Sequence, residues 1–231
     1  MTRRKEFLSG LKAGLPVCIG FIPIAVAYAV SAVHSGLTAG QTVTMSLIVF
    51  AGASQMAAVN MFAAGAGAAE MVLATFILNL RHFIMSTCVM KRLGKSPLLA
   101  RLGLSPFVTD EAFALFTSDD SLPASPWAFL GLIFATYLPW NLGTILGCFV
   151  SQLLPPIVSD SLGIALPALF IALMVPGVKK SGRLLIVVAL TAALNTILSQ
   201  FISGSWAVVA STLLGALAGV FITEETEEVA A

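Results

Sequence analysis

The sequence predicts an all-α polytopic membrane protein with about seven hydrophobic segments, some of them broken or re-entrant. Two observations carry the class: 58% of the 231 residues are hydrophobic while only 10% are charged, and mean hydropathy is +0.98. A third is that apolar runs recur at bilayer length, about 20 residues, whereas soluble domains carry about 25% charged residues.

The runs fall near 13 to 33, 42 to 64, 68 to 90, 127 to 152, 162 to 178, 184 to 202 and 205 to 222. The first follows Arg3, Arg4, Lys5 and Lys12. It is longer than a secretory h-region, so it reads as a retained span. The second contains Ala51-Gly52-Ala53-Ser54-Gln55, where small residues interrupt an apolar stretch. The third carries Asn79-Leu80-Arg81-His82.

One connection is long and polar, 91 to 125, with Lys91, Arg92, Lys95 and Arg101 ahead of Asp110, Glu111, Asp119 and Asp120. Ser105-Pro106 reads there as an N-cap followed by Pro at the first helical position. That predicts a short amphipathic helix with Asp110 and Glu111 as solvated charges. Residues 1–231 read as one transmembrane transporter domain, with the acidic tail from Glu224 to Glu228 a solvated end.

A shift of 116 residues lays Phe21-Ile22-Pro23 on Tyr137-Leu138-Pro139 and Thr75 and Asn79 on Thr191 and Asn195. The halves 13–90 and 129–206 are therefore candidate structural repeats, followed by a final helix, an organisation frequent among carriers. Loops rich in Lys and Arg stay cytoplasmic, which assigns 91–125 and the cluster Lys179, Lys180, Arg183 to that side. If every segment crosses once, the N-terminus lies outside and the repeats are inverted. If 42 to 64 is instead re-entrant, the N-terminal basic residues become cytoplasmic too.

A net charge of +1 gives no field for nucleic acid. Cys18, Cys88 and Cys148 lie far apart in apolar runs, as small hydrophobes with no metal-ligand or disulfide spacing. Nothing matches a phosphate-binding loop, a zincin helix, a nucleophile elbow or a dinucleotide fingerprint. Neither an enzyme nor a cofactor is expected.

Charges inside a bilayer cost at least about 2.5–3.5 kcal/mol at a helix centre, which singles out Arg81 and His82. Glu70 projects on nearly the same face as Arg81 but about 16 Å away along the axis, so the expected partner of Arg81 is a carboxylate from elsewhere, Asp110 or Glu111. Asn79, His82 and Ser86 make one polar stripe, and Thr191, Asn195 and Ser199 another. Around Gly52, Ser54 and Gln55 an unwound turn would free amides at the start of a half-helix, a setting for a carboxylate. The candidate substrate-binding residues are thus Gly52, Ser54, Gln55, Asn79 and Asn195. The candidate coupling network is Arg81, His82, Asp110 and Glu111. The bland alternative for each polar stripe is interhelical hydrogen bonding.

Ala51-Gly52-Ala53-Ser54-Gln55, Asn79-Leu80-Arg81-His82 and Thr109-Asp110-Glu111-Ala112-Phe113-Ala114, in that order, resemble the AzlC family, and the similarity extends to Leu-Pro-Ala-Leu-Phe-Ile at 166–171. The resemblance implies the large subunit of a two-component exporter of valine, leucine, isoleucine and sometimes methionine in the bacterial inner membrane. It also implies a small, separately encoded AzlD-like membrane subunit as partner. An ion or solute channel and a non-transporting assembly subunit are the competing classes.

Overall fold

The computed structural model describes residues 2–151, 153, 168, 171, 174, 175, 178, 179, 181–202 and 204–224. Most of the 162 to 178 segment and the acidic residues beyond Glu224 lie outside them. Among the described residues the chain is helical, without strands. In order come α1 (Arg3–His34), α2 (Ala39–Val49), α3 (Gly52–Ala63), α4 (Ala68–Arg92), α5 (Leu98–Leu104), a 3-10 turn (Ser105–Phe107), α6 (Asp110–Ser118), α7 (Pro126–Val150), α8 (Gly182–Leu198) and α9 (Gly204–Glu224). Of these, α1, α4 and α7 are long and apolar enough to cross a membrane alone.

The chain divides into two compact units, Met1–Asn60 with Asn79–Ala165, and Met61–Leu78 with Leu166–Ala231. The first is built on α1 against α7. Small residues let the two backbones touch: a Cβ on Gly143 would stand 2.8 Å from the Ile22 carbonyl oxygen, and one on Gly147 2.7 Å from that of Val26. Gly10 meets the Ala128 carbonyl and Gly14 meets Ala135 in the same way. Without water as a driving force, such close approach is what holds membrane helices together. The contact pairs ascend together along both helices, so α1 and α7 run parallel. They are the first helices of the two candidate repeats, and their direction is the opposite of what inverted repeats would give.

The C-terminal end of α4 belongs to the same end of this unit as the starts of α1 and α7. Met85, Val89 and Leu93 share a buried cluster with Phe116, Phe129, Leu132 and Ile133. The Arg92 guanidinium donates to the carbonyls of Phe116, Asp119 and Leu122 and lies 4.9 Å from the Phe116 ring centre. Across that end Arg3 stands 5.5 Å over the Trp127 ring. Thus α1 finishes at the opposite end, where α2 begins, and within this unit α4 runs from the helix break back towards the starts of α1 and α7. Of the two topologies open from sequence, this is the re-entrant one. It gathers Arg3, Arg4, Lys5, Lys12, Lys91, Arg92, Lys95 and Arg101 at one end, as the positive-inside rule expects of a single side.

At the start of α2, Thr38 and Gln41 form a reciprocal capping box, satisfying two amides that would otherwise be orphaned. The helix then follows α7 inward. Ser46 hydrogen bonds Thr144 at 2.9 Å, and the Tyr137 hydroxyl donates to the Leu47 carbonyl at 2.9 Å. It stops at Phe50, whose φ of 43° is left-handed, a conformation costing a side-chain-bearing residue about 1–2 kcal/mol. Packing holds it there: the Phe50 ring meets Tyr137 edge-on at 4.9 Å.

In the polar connection, the expected helix start at Ser105 needs correction. Ser105–Phe107 is a 3-10 turn, Phe107 rests on Tyr137 at 5.4 Å, and Val108 is extended. The α6 helix begins afterwards, with the Thr109 side chain accepting from the Ala112 amide at 3.3 Å. An extended residue before a better cap overrode the Ser-Pro signal. In the second unit α8 and α9 run antiparallel, with Gly215 beneath Thr191 and Gly219 beside Val187, while Met61, Ala74 and Val209 form its buried cluster.

Candidate functional site

The helix break at Phe50 and Ala51 lies about halfway along α7, with both residues buried. Beyond it, α3 starts at Gly52, so its first amides have no carbonyl one turn earlier. Gln55 folds back over this end: its Oε1 accepts from the Ala51 amide at 3.2 Å. That bond fixes which side-chain atom is oxygen and directs the Nε2 group away. Gln55 is fully buried; its Nε2 reaches no acceptor at full hydrogen-bond geometry and has only the Tyr28 hydroxyl beside it. The neighbouring Tyr28 hydroxyl is turned to the Thr42 carbonyl at 3.2 Å.

An aromatic wall surrounds the break. Trp140 covers Gly52 so closely that a Cβ there would stand 2.7 Å from its ring, and Phe21 and Tyr28 flank Trp140 at 5.4 and 6.1 Å. Ser54, also buried, donates to the Asn79 side-chain oxygen at 2.5 Å. The structure therefore brings Gly52, Ser54, Gln55 and Asn79 together. Asn195 belongs to the second unit, where Ser211 donates to its side-chain oxygen at 3.4 Å.

Two residues beyond Asn79, and so on nearly the opposite face of α4, Arg81 pairs with Asp110 at 3.0 Å. Glu111 follows on the first turn of α6. Burial pushes its carboxyl above the usual range and Asp110 adds to the rise, while its own backbone, Thr109 and Arg81 pull the other way. The expectation that Asp110 and Glu111 are solvated charges is corrected here: one is ion-paired and the other desolvated. His82 is half-buried beside Arg81. Chemically, the arrangement offers donors for an anionic group inside an apolar enclosure, and a charged network one helix away.

Sequence reasoning passed over Tyr28, Phe50 and Asn141, and it noted Trp140 beside Trp127 and Trp206 without giving it a role. The available signal was Pro139-Trp140-Asn141 in the middle of an apolar run, where interface anchoring, adequate for Trp127 and Trp206, does not apply.

Similarity to known proteins bears on this arrangement. Residues 16–154, which contain the break, α4 and α6, match the AzlC protein family. The inner membrane protein YgaZ of Escherichia coli is 31% identical over 198 residues, covering 81% of this chain and 80% of that protein. An uncharacterized membrane protein of Archaeoglobus fulgidus is 29% identical over 181 residues, covering 78% of this chain and 79% of its own length. No solved structure matches the chain. With its apolar helices and a match that spans both halves of the candidate site, the chain is a membrane protein of the AzlC family.

Proposed function

We propose that the chain is the substrate-carrying large subunit of a secondary exporter of the branched-chain amino acids valine, leucine and isoleucine, with methionine as an additional substrate, in the bacterial cytoplasmic membrane. The observation behind this reading is the buried helix break. It offers the first α3 amides and the Gln55 Nε2, beside which only the Tyr28 hydroxyl stands, to a carboxylate and leaves Phe21, Phe50, Tyr137 and Trp140 to enclose an aliphatic side chain. Membership of the AzlC family supports it, and so does the helix dipole, which favours negative charge at that end.

The carrier works by alternating access, makes and breaks no covalent bond, needs no cofactor, and acts with a small AzlD-like membrane subunit. Arg81, His82, Asp110 and Glu111 balance charge or move a proton during the cycle. The test is counterflow of radiolabelled valine in proteoliposomes, with and without the small subunit. Saturable exchange that Gln55→Leu abolishes, at normal membrane insertion, is expected. Unsaturable flux would make the protein a channel, and no flux with a normally assembled complex would make it an assembly subunit.

A further inference from the structure

The polar atoms left over around the break are of two kinds. Besides Gln55 Nε2, the buried atoms without a hydrogen-bond partner include Trp140 Nε1 and Asn141 Oδ1. Trp140 and Asn141 are 3% and 6% exposed, so neither atom is satisfied by solvent. Buried polar groups are nearly always paired, and one left unpaired calls for an explanation. A Trp indole offers only a donor, a side-chain carbonyl only an acceptor.

Position ties these two residues to the break. Trp140 covers Gly52, the first residue of α3. Asn141 lies one turn after Tyr137 and one turn before Thr144 on α7, on the face those two residues present to α2 through Leu47 and Ser46. Its Nδ2 is occupied by the Tyr137 carbonyl at 2.9 Å, which leaves Oδ1 available.

We propose that Trp140 is a substrate-binding residue that donates, with Gln55, to the carboxylate, and that Asn141 Oδ1 accepts from the ammonium group, so that the site reads a zwitterionic α-amino acid. This rests on the exporter reading and names the residues that recognise the two charged ends of its substrate. Two donors and a helix N-terminus match the anionic end of such a molecule, and one acceptor matches the cationic end. A plain carboxylic or 2-oxo acid would leave Asn141 unsatisfied, and an amino acid amide would leave the donors without their anion.

The experiment uses the full-length chain in lipid nanodiscs, with Trp127 and Trp206, both partly exposed, replaced by Phe so that Trp140 alone emits. Valine is expected to change that emission saturably, valinamide to leave it unchanged, and 3-methyl-2-oxobutanoate to bind at least about tenfold more weakly than valine, as the loss of one buried hydrogen bond implies. Trp140→Phe keeps an aromatic ring between Phe21 and Tyr28 and is expected to weaken valine binding in equilibrium dialysis by a similar factor. Valine binding in dialysis with silent Trp140 emission, or with an unchanged Trp140→Phe affinity, overturns this assignment and leaves the exporter reading intact. An equal response to valinamide overturns the carboxylate role. No valine binding by either method overturns the exporter reading and this inference with it.

Discussion

Arg81 Nη2 lies 3.0 Å from Asp110 Oδ2, an ion pair that ties the middle of α4 to the first turn of α6. Arg81 stands midway along a helix long and apolar enough to cross a membrane, where a charge left without a partner is costly. The pair also has a positional effect: α4 carries Asn79 to the helix break on one face and Arg81 to α6 on another. Arg81→Gln and Asp110→Asn are each expected to slow valine export, and the double mutant to be no slower than the worse single. Initial rates in a double-mutant cycle check this; strictly additive losses would show that the two charges act separately.

Glu111 gives a pH signature. Its carboxyl is held above the ordinary glutamate range, chiefly by burial, so the folded protein binds a proton that the unfolded chain has already released. Stability then falls as pH rises, beginning near the ordinary glutamate value of about 4.3. Glu111→Gln removes the titration. Melting temperatures across pH 4 to 7 should decline for the wild type and stay flatter for the variant. Parallel curves would contradict the desolvated carboxyl.

The topology is open to labelling. In a chain whose Cys18, Cys88 and Cys148 are replaced, Cys at Ala39 and Cys at Ala64 should both react with an impermeant periplasmic maleimide in intact cells. Cys at Lys5 and Cys at Ser96 should stay unlabelled until the cells are opened. Reaction of Ala39 and Ala64 from opposite sides would sink the re-entrant arrangement.

Trp140 leaves no room at Gly52. A Cβ there would stand 2.7, 3.2 and 3.4 Å from three ring carbons, and Phe21 and Tyr28 hold the ring in place. Gly52→Ala is therefore expected to destabilise the fold by about 1–3 kcal/mol, as overpacking does. Adding Trp140→Leu should recover part of that loss. Thermal unfolding in detergent reads both, and a Gly52→Ala protein as stable as the wild type would mean that the wall yields.

Composition and apolar run length gave the helical membrane class and placed most helix ends within a few residues, because a bilayer leaves few alternatives to a closed hydrogen-bonded helix. The interruption at Ala51 to Ser54 was legible for the same reason: small residues inside an oily run conflict with its pattern. The side on which the second segment leaves was not legible, since it depends on which helix ends meet. The contacts of Arg92 and of the Met85, Val89 and Leu93 cluster decide that, and they join residues far apart in sequence. Trp140 was hidden because an indole reads equally as core, anchor or ligand until its nitrogen is seen to lack a partner. The α6 cap failed for a local reason: Thr109 competes with Ser105 only once Val108 is extended.

The parallel contact between α1 and α7 sets an order on biosynthesis. Gly10 finds Ala128 only after the ribosome has made just over half the chain, a wait of roughly 6–24 s at about 5–20 residues per second. During that interval α1 stands in the bilayer with its glycine-lined flank against lipid, and the α2–α3 hairpin, which rests on α7 through Ser46, Leu47 and Phe50, has no floor to settle on. The break that frames the candidate site can therefore be completed only late in translation. Truncated chains ending before Pro126 should be inserted yet remain open to membrane proteases, and resistance should arrive abruptly once α7 has emerged.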